Sequence, residues 1–194
     1  MNKTEAIRLV IDGTDTEPVV FTTGYACRIA RHHRDRESHF YMTGSMGLAG
    51  PIGAGIAHST GRPTVVVDGD GSLLMNPAGL ATAAVTPGLP LLHIVLDDAA
   101  YASTGGQPTQ APTADFCGLA RSFGYRSVTR VEEPGDLSAV LGALLSDLRG
   151  PSLVHCVLGE ADLPVPPRVE GDLAAHTRRF SRSVRFPAGR AGAA

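Results

Sequence analysis

No apolar run in this chain approaches the roughly 18 residues that a membrane-spanning helix requires, so no membrane span is expected. Cysteine is scarce: Cys27, Cys117 and Cys156 are odd in number and far apart. That argues against a disulfide framework or a cysteine metal site and reads as buried thiols of a reducing compartment. Charge of one sign is also lacking. The formal net charge of −2 is too small to point to nucleic acid or an anionic membrane. The first residues, Met1 to Gly13, place acids inside their apolar stretch and show no cleavage pattern, so no signal peptide is expected and the expected location is cytoplasmic. With 43% hydrophobic and 19% charged residues over 194 positions, the expectation is one folded domain, or a domain with a tail.

What is present centres on residues 64–98. Thr64-Val65-Val66-Val67 is a short β-branched run, read as a buried strand. Asp68-Gly69-Asp70-Gly71 follows, and two glycines around one carboxylate are expected to make a tight turn that aims Asp70. Residues 76–84 have helical periodicity. Leu91 to Leu96 reads as a second strand, ending on Asp97-Asp98. In a parallel sheet the two acid sites fall on one edge, where open α/β sheets bind ligands. Two carboxylates at such an edge suit a hard cation such as Mg²⁺, held together with substrate phosphates.

The rest of the chain alternates. A Thr-capped helix over 4–11 is followed by a strand over 19–23, ending at Thr22-Thr23-Gly24. A helix then covers 25–33, a strand 40–42, and a Gly/Ala-rich helix 47–59. Beyond Asp98 come a helix over 114–123 closed by Gly124, a strand over 125–129, a helix over 137–148 closed by Gly150, and a strand over 152–157. Strand and helix alternating throughout implies an α/β fold: a doubly wound, six-stranded, mostly parallel sheet with helices on both faces. Residues 1–16 read as an N-terminal helix or connector and 17–164 as the binding domain. Residues 165–194, rich in arginine, read as a C-terminal arm with a solvated, partly disordered end.

Gly69-Asp70-Gly71, then residues 72–96, then Asp97-Asp98 resembles the thiamine diphosphate motif, which opens with GDG and closes with a pair of asparagines. Tyr41-Met42-Thr43-Gly44-Ser45-Met46-Gly47, Gly71 to Asn76 and Ala100 to Thr109 narrow the resemblance. It is to the cofactor-binding half of the sulfopyruvate and phosphonopyruvate decarboxylases, over about residues 19–164. The resemblance implies that Asp70, Asp98 and the carbonyl of Ala100 hold Mg²⁺. Thr22, Thr23, Gly24, Gly69, Gly71, Ser72, Tyr101, Ser103 and Thr104 are then candidates for contact with the cofactor and its diphosphate. Met46, in the GSMG context, would wedge between the cofactor rings and bend it, beside Ser45. The Gly44 carbonyl would accept a hydrogen bond from the aminopyrimidine.

The implied reaction takes a 2-oxo acid, 3-sulfopyruvate or 3-phosphonopyruvate, to an aldehyde and CO₂. Such enzymes activate the pyrimidine with a glutamate on a separate domain, and nothing in this chain is long enough to be that domain. The expectation is therefore a β-type subunit that works with an α-type chain in an α₂β₂ or larger assembly. Two alternatives stay open: a carboligase subunit that joins the activated fragment to another carbonyl, and a non-catalytic cofactor-binding scaffold. This sequence departs from the motif at Asp98, where an acid stands for asparagine, and at Tyr25-Ala26-Cys27. His93 reads as a core histidine, and His155 receives no catalytic role.

Overall fold

The computed structural model describes residues 1–159 and 164–185. In chain order the elements are α1 (Lys3–Asp12), β1 (Val19–Phe21), α2 (Tyr25–His33), β2 (His39–Tyr41), α3 (Ala49–Thr60) and β3 (Thr64–Gly69). They continue with α4 (Asp70–Met75), α5 (Ala78–Ala84), β4 (Leu91–Asp97), β5 (Ala100–Tyr101), β6 (Gln107–Pro108) and a 3₁₀ turn over Ala111–Thr113. The last are α6 (Phe116–Phe123), β7 (Ser127–Val131), α7 (Pro134–Ser146), β8 (Ser152–Val157) and α8 (Leu173–Arg185).

Six strands pair in parallel in the order β2-β1-β3-β4-β8-β7. Because side chains alternate along a strand, each run of apolar residues feeds two cores. Val19, Phe21, Val65, Val67, Leu92 and Ile94 face α1, α2 and α7, whereas Val20, Val66, Leu91 and Val95 face the layer of α3 to α6. The order reverses between β1 and β3: the chain steps from β1 out to β2 and then returns past β1 to β3. That switch point opens a crevice at the carboxyl ends of β1 and β3.

Several boundaries differ from the sequence reading for local reasons. The cap of α1 is Asn2, whose side-chain oxygen accepts from the Glu5 N–H at 2.8 Å, not a threonine. Helix α1, expected as a connector, packs Ala6, Ile7, Val10 and Ile11 fully buried in the core. The expected helix over 76–84 is α5, which starts only at Ala78, and a separate helix, α4, precedes it and ends at Met75. Pro77 has no N–H to continue α4, and Asn76 leaves helical geometry with its amide donating to the Gly47 carbonyl at 3.1 Å.

Helix α8 falls within residues 165–194, the stretch expected to dock as an arm and then end in solvent. It runs along the outer edge of β2, packing Phe180 against Phe40 with ring centroids 5.2 Å apart. Arg179 makes a two-pronged pair with Asp35 at 2.5 and 2.7 Å, and Ser183 donates to the Glu37 carbonyl at 2.8 Å. The part of the expected disordered end that covers residues 186–194 lies outside the described residues.

Burial alone would raise the Asp35 carboxyl, but Arg179 and Arg31 outweigh it and bring it down from 3.8 to about 2. A depressed carboxyl contributes stability above its unfolded value, lost as pH falls through the folded one. Asp35→Asn should therefore lower the thermal midpoint at pH 7, and the gap to wild type should close between pH 3.8 and about 2 in melts followed by circular dichroism. In α3, a Cβ on Gly53 would overlap the Val66 Cγ2 methyl in the closed core, whereas one on Gly55 meets nothing within 4 Å. Gly53→Ala should cost about 1–3 kcal/mol in urea denaturation. Gly55→Ala should gain ~0.5–1 kcal/mol from helix propensity.

Candidate active site

The parallel register pairs Asp68 with Val95 and Gly69 with Leu96. Asp70 and the Asp97-Asp98 pair therefore leave their strands at the same sheet edge. Between the ends of β1, β3 and β4 lies a groove of about 510 Å³. It is lined by Thr22 and Thr23 after β1, Met46 after β2, residues 68–72, Asp98, and residues 100–104 of the hairpin that follows β4. Lys3 of α1 also reaches it.

The two glycines around Asp70 do not make the expected turn. Gly69 is extended, with φ −110° and ψ 156°, and α4 begins at Asp70 itself. Neither Gly69 nor Gly71 has positive φ. Gly71 is needed for close approach instead, since a Cβ there would run into the ring of Tyr101. Gly24 does use its freedom. Its φ is +99°, and a Cβ would sit 2.7 Å from the Ser103 hydroxyl. The β5–β6 hairpin thus closes over the motif, seated on two glycines.

Asp70 is buried, and Thr109, just past β6, donates a short hydrogen bond to its Oδ2. Burial first, and then the negative charges of Asp97 and Asp98, push the Asp70 carboxyl above its ordinary value. The bonds from Thr109 and the Gly71 N–H oppose this without cancelling it. Asp98 pairs with Lys3 Nζ at 2.7 Å. Asp97 pairs with His155 Nε2 at 2.8 Å, and Asp68 with His93 Nε2 at 3.2 Å. Ala99, between the acids and the hairpin, holds φ +54°, a strained conformation for a residue with a side chain.

Ser72 ties the edge together. Its hydroxyl shares a 3.1 Å hydrogen bond with the Thr22 hydroxyl and accepts from the Gly47 N–H at 3.1 Å. Both side chains are buried, so these hydroxyls brace the groove wall. Gly44 and Ser45 do not line this groove. They are exposed and face a second one, of about 720 Å³, with Leu48, Ile52, Leu173 and His176. Met46 is the loop residue that turns into the first groove, half-buried. Lys3, Thr109, His93 and His155 were not singled out for the site from sequence. Thr109 carried a signal in its stretch Gln107-Pro108-Thr109; Lys3, 95 positions from Asp98, carried none.

The family described as thiamine pyrophosphate enzyme, C-terminal TPP binding domain, matches residues 22–156, most of the chain. The chain belongs to this family. As a thiamine pyrophosphate-binding domain it is 41% identical over 181 residues to a phosphonopyruvate decarboxylase of Streptomyces viridochromogenes, covering 93% of this chain and 45% of that protein. It is 37% identical over 187 residues to the sulfopyruvate decarboxylase subunit beta of Methanothermobacter thermautotrophicus, covering 95% of this chain and 96% of that subunit. The chain therefore spans less than half the length of the Streptomyces enzyme. The solved benzoylformate decarboxylase of Polynucleobacter necessarius shares the fold, with a TM-score of 0.68 at 17% identity over 82% of this chain and 33% of that one.

Among the described residues no three His, Cys, Asp or Glu side chains gather as a metal cluster. The donor set at this edge is two carboxylates plus backbone oxygen, a poor match to zinc but suited to a hard cation that shares its shell with phosphates. Asp70 supports that fit: its ionised form is disfavoured by burial and by like charges, and a bound cation would relieve both. No helix among the described residues is long and apolar enough to cross a membrane. Asp70→Ala should abolish Mg²⁺-dependent thiamine diphosphate binding in calorimetry while leaving the far-ultraviolet circular dichroism unchanged; normal binding by this variant would remove Asp70 from the site.

Proposed function

We propose that the chain is the cofactor-binding, β-type subunit of a split thiamine diphosphate- and Mg²⁺-dependent decarboxylase. Its substrate is 3-sulfopyruvate or 3-phosphonopyruvate, released as the aldehyde after loss of CO₂. The observation that carries this reading is the acid-lined groove of a thiamine pyrophosphate-binding domain, in a chain 37% identical to a protein named sulfopyruvate decarboxylase subunit beta. In this reading an α-type partner would bear the pyrimidine-binding domain and its glutamate, in an α₂β₂ or larger cytoplasmic assembly.

In this reading residues 17–164 form the binding unit. Asp70, Asp98 and the Ala100 carbonyl hold the cation. Thr23, Gly24, Ser103 and Thr104 face the diphosphate, on a floor of Gly69 and Gly71 braced by Thr22 and Ser72. Tyr101 closes the hairpin over that floor. Met46 supports the bend of the cofactor. Gly44 and Ser45 point away from the diphosphate end, toward the side on which the pyrimidine and the partner would lie. When bound, thiamine diphosphate supplies the electron sink that lets a 2-oxo acid lose CO₂. The chain's own contribution is to hold, orient and shield that group.

The test is co-purification with the companion chain, followed by an aldehyde-release assay on both acids. The pair should release aldehyde from one of the two, and the isolated chain should be nearly inactive. Full turnover by the isolated chain, or no aldehyde from either acid with the pair, would overturn the reading.

A further inference from the structure

Four carboxylates lie at the carboxyl ends of β3 and β4, and each is met by a different side chain. Asp68 has His93, Asp97 has His155, Asp70 has the Thr109 hydroxyl, and Asp98 has Lys3. Lys3 stands apart from the others. It is the single lysine of the sequence, and among the described residues it is the one Lys or Arg lining the groove. It sits on the same stripe of α1 as Ala6, Ile7 and Val10, the face buried in the core. Its side chain is 11% exposed, against 25% for Asp98. A lysine on a core-facing stripe is costly unless its ammonium finds an anion. Here the helix docks so that the stem is packed and the ammonium emerges at the acid edge.

We propose that Lys3 is a positioning residue for the cofactor site. It cancels the charge of Asp98 and fixes the carboxylate orientation, so that an edge already crowded with acids can accept a cation together with an anionic diphosphate. This rests on the reading of Asp98 as a metal ligand. Asp70 and Asp98 line the same groove, and Asp97 directly precedes Asp98 in the chain. Without Lys3, Asp98 would present an uncompensated charge to the diphosphate and a carboxylate free to turn. An asparagine at position 98 would keep the oxygen ligand and remove the need for compensation. Helix α1 thereby joins the site through a contact 95 positions away in the chain.

The test is a double-mutant cycle on the full chain, titrating thiamine diphosphate by calorimetry at saturating Mg²⁺. Lys3→Met, which keeps the buried stem, should weaken binding by about tenfold or more. Asp98→Asn supplies the second background, and adding Lys3→Met to it should change its binding by less than about threefold. Lys3→Arg should retain binding. Melts without ligand report whether each variant folds; should Lys3→Met not fold, Lys3→Gln carries the same comparison. Equal losses in both backgrounds would mean that Lys3 acts on the diphosphate or the fold rather than through Asp98, and would overturn the proposal. No loss on Lys3→Met would overturn it while leaving the cofactor site intact. Failure of wild type to bind would remove the cofactor-site reading, and this inference with it.

Discussion

The parallel pairing of β3 with β4, in the register that sets Gly69 beside Leu96, is the constraint from which the rest of the site follows. Parallel strands end on the same side of a sheet, so the acids that terminate them are brought together without any contact of their own. A slip of one residue would turn every side chain of one strand to the opposite face and place Val66 and Val67 in the wrong cores. The apolar pattern of the strands therefore holds the acids in place. The reversal of strand order between β1 and β3 parts the helices there and opens the crevice.

Gathering acids at a half-buried edge is unfavourable, and the surroundings answer it acid by acid. Histidines on β4 and β8 meet Asp68 and Asp97 diagonally across neighbouring strands. Asp70 receives the Thr109 hydroxyl and the Gly71 N–H, yet burial still disfavours its ionised form. The loops carry strain as well. Ala99 and Ser45, the two non-glycine residues of positive φ among those described, lie in the segments after β4 and β2 that line the two grooves.

The two grooves divide the loop after β2 between them. Met46 turns to the acid edge, whereas Gly44 and Ser45 face the side walled by α8, where Leu48 and Leu173 are exposed. A split enzyme would need such an arrangement, in which one chain grips the anionic end of the cofactor and leaves the other end for a partner. Helix α8 shapes that side by lying along β2, held by Phe180 and the Asp35–Arg179 pair.

The order of strands and helices, the two-faced sheet and the meeting of Asp70 with Asp98 at one edge could all be read from the chain. They rest on apolar periodicity and on the geometry of parallel strands, both local in sequence. Most of the named groove residues, from Thr22 to Thr104, were legible through the resemblance of their stretches to the family's motifs. The roles of the glycines were not, because whether Gly71 serves a turn or a close contact depends on where Tyr101 packs. Helix α8 was missed because its one buried apolar residue, Phe180, leaves no stripe among the arginines; its partners Phe40 and Asp35 lie far back in the chain. Lys3 and Thr109 reach the acids only through the docking of α1 and the folding of the hairpin. Local pattern determined the framework and its acid edge. Long-range packing decided which side chains neutralise that edge, because the partner of a buried charge is chosen by proximity in space, which no spacing in sequence records.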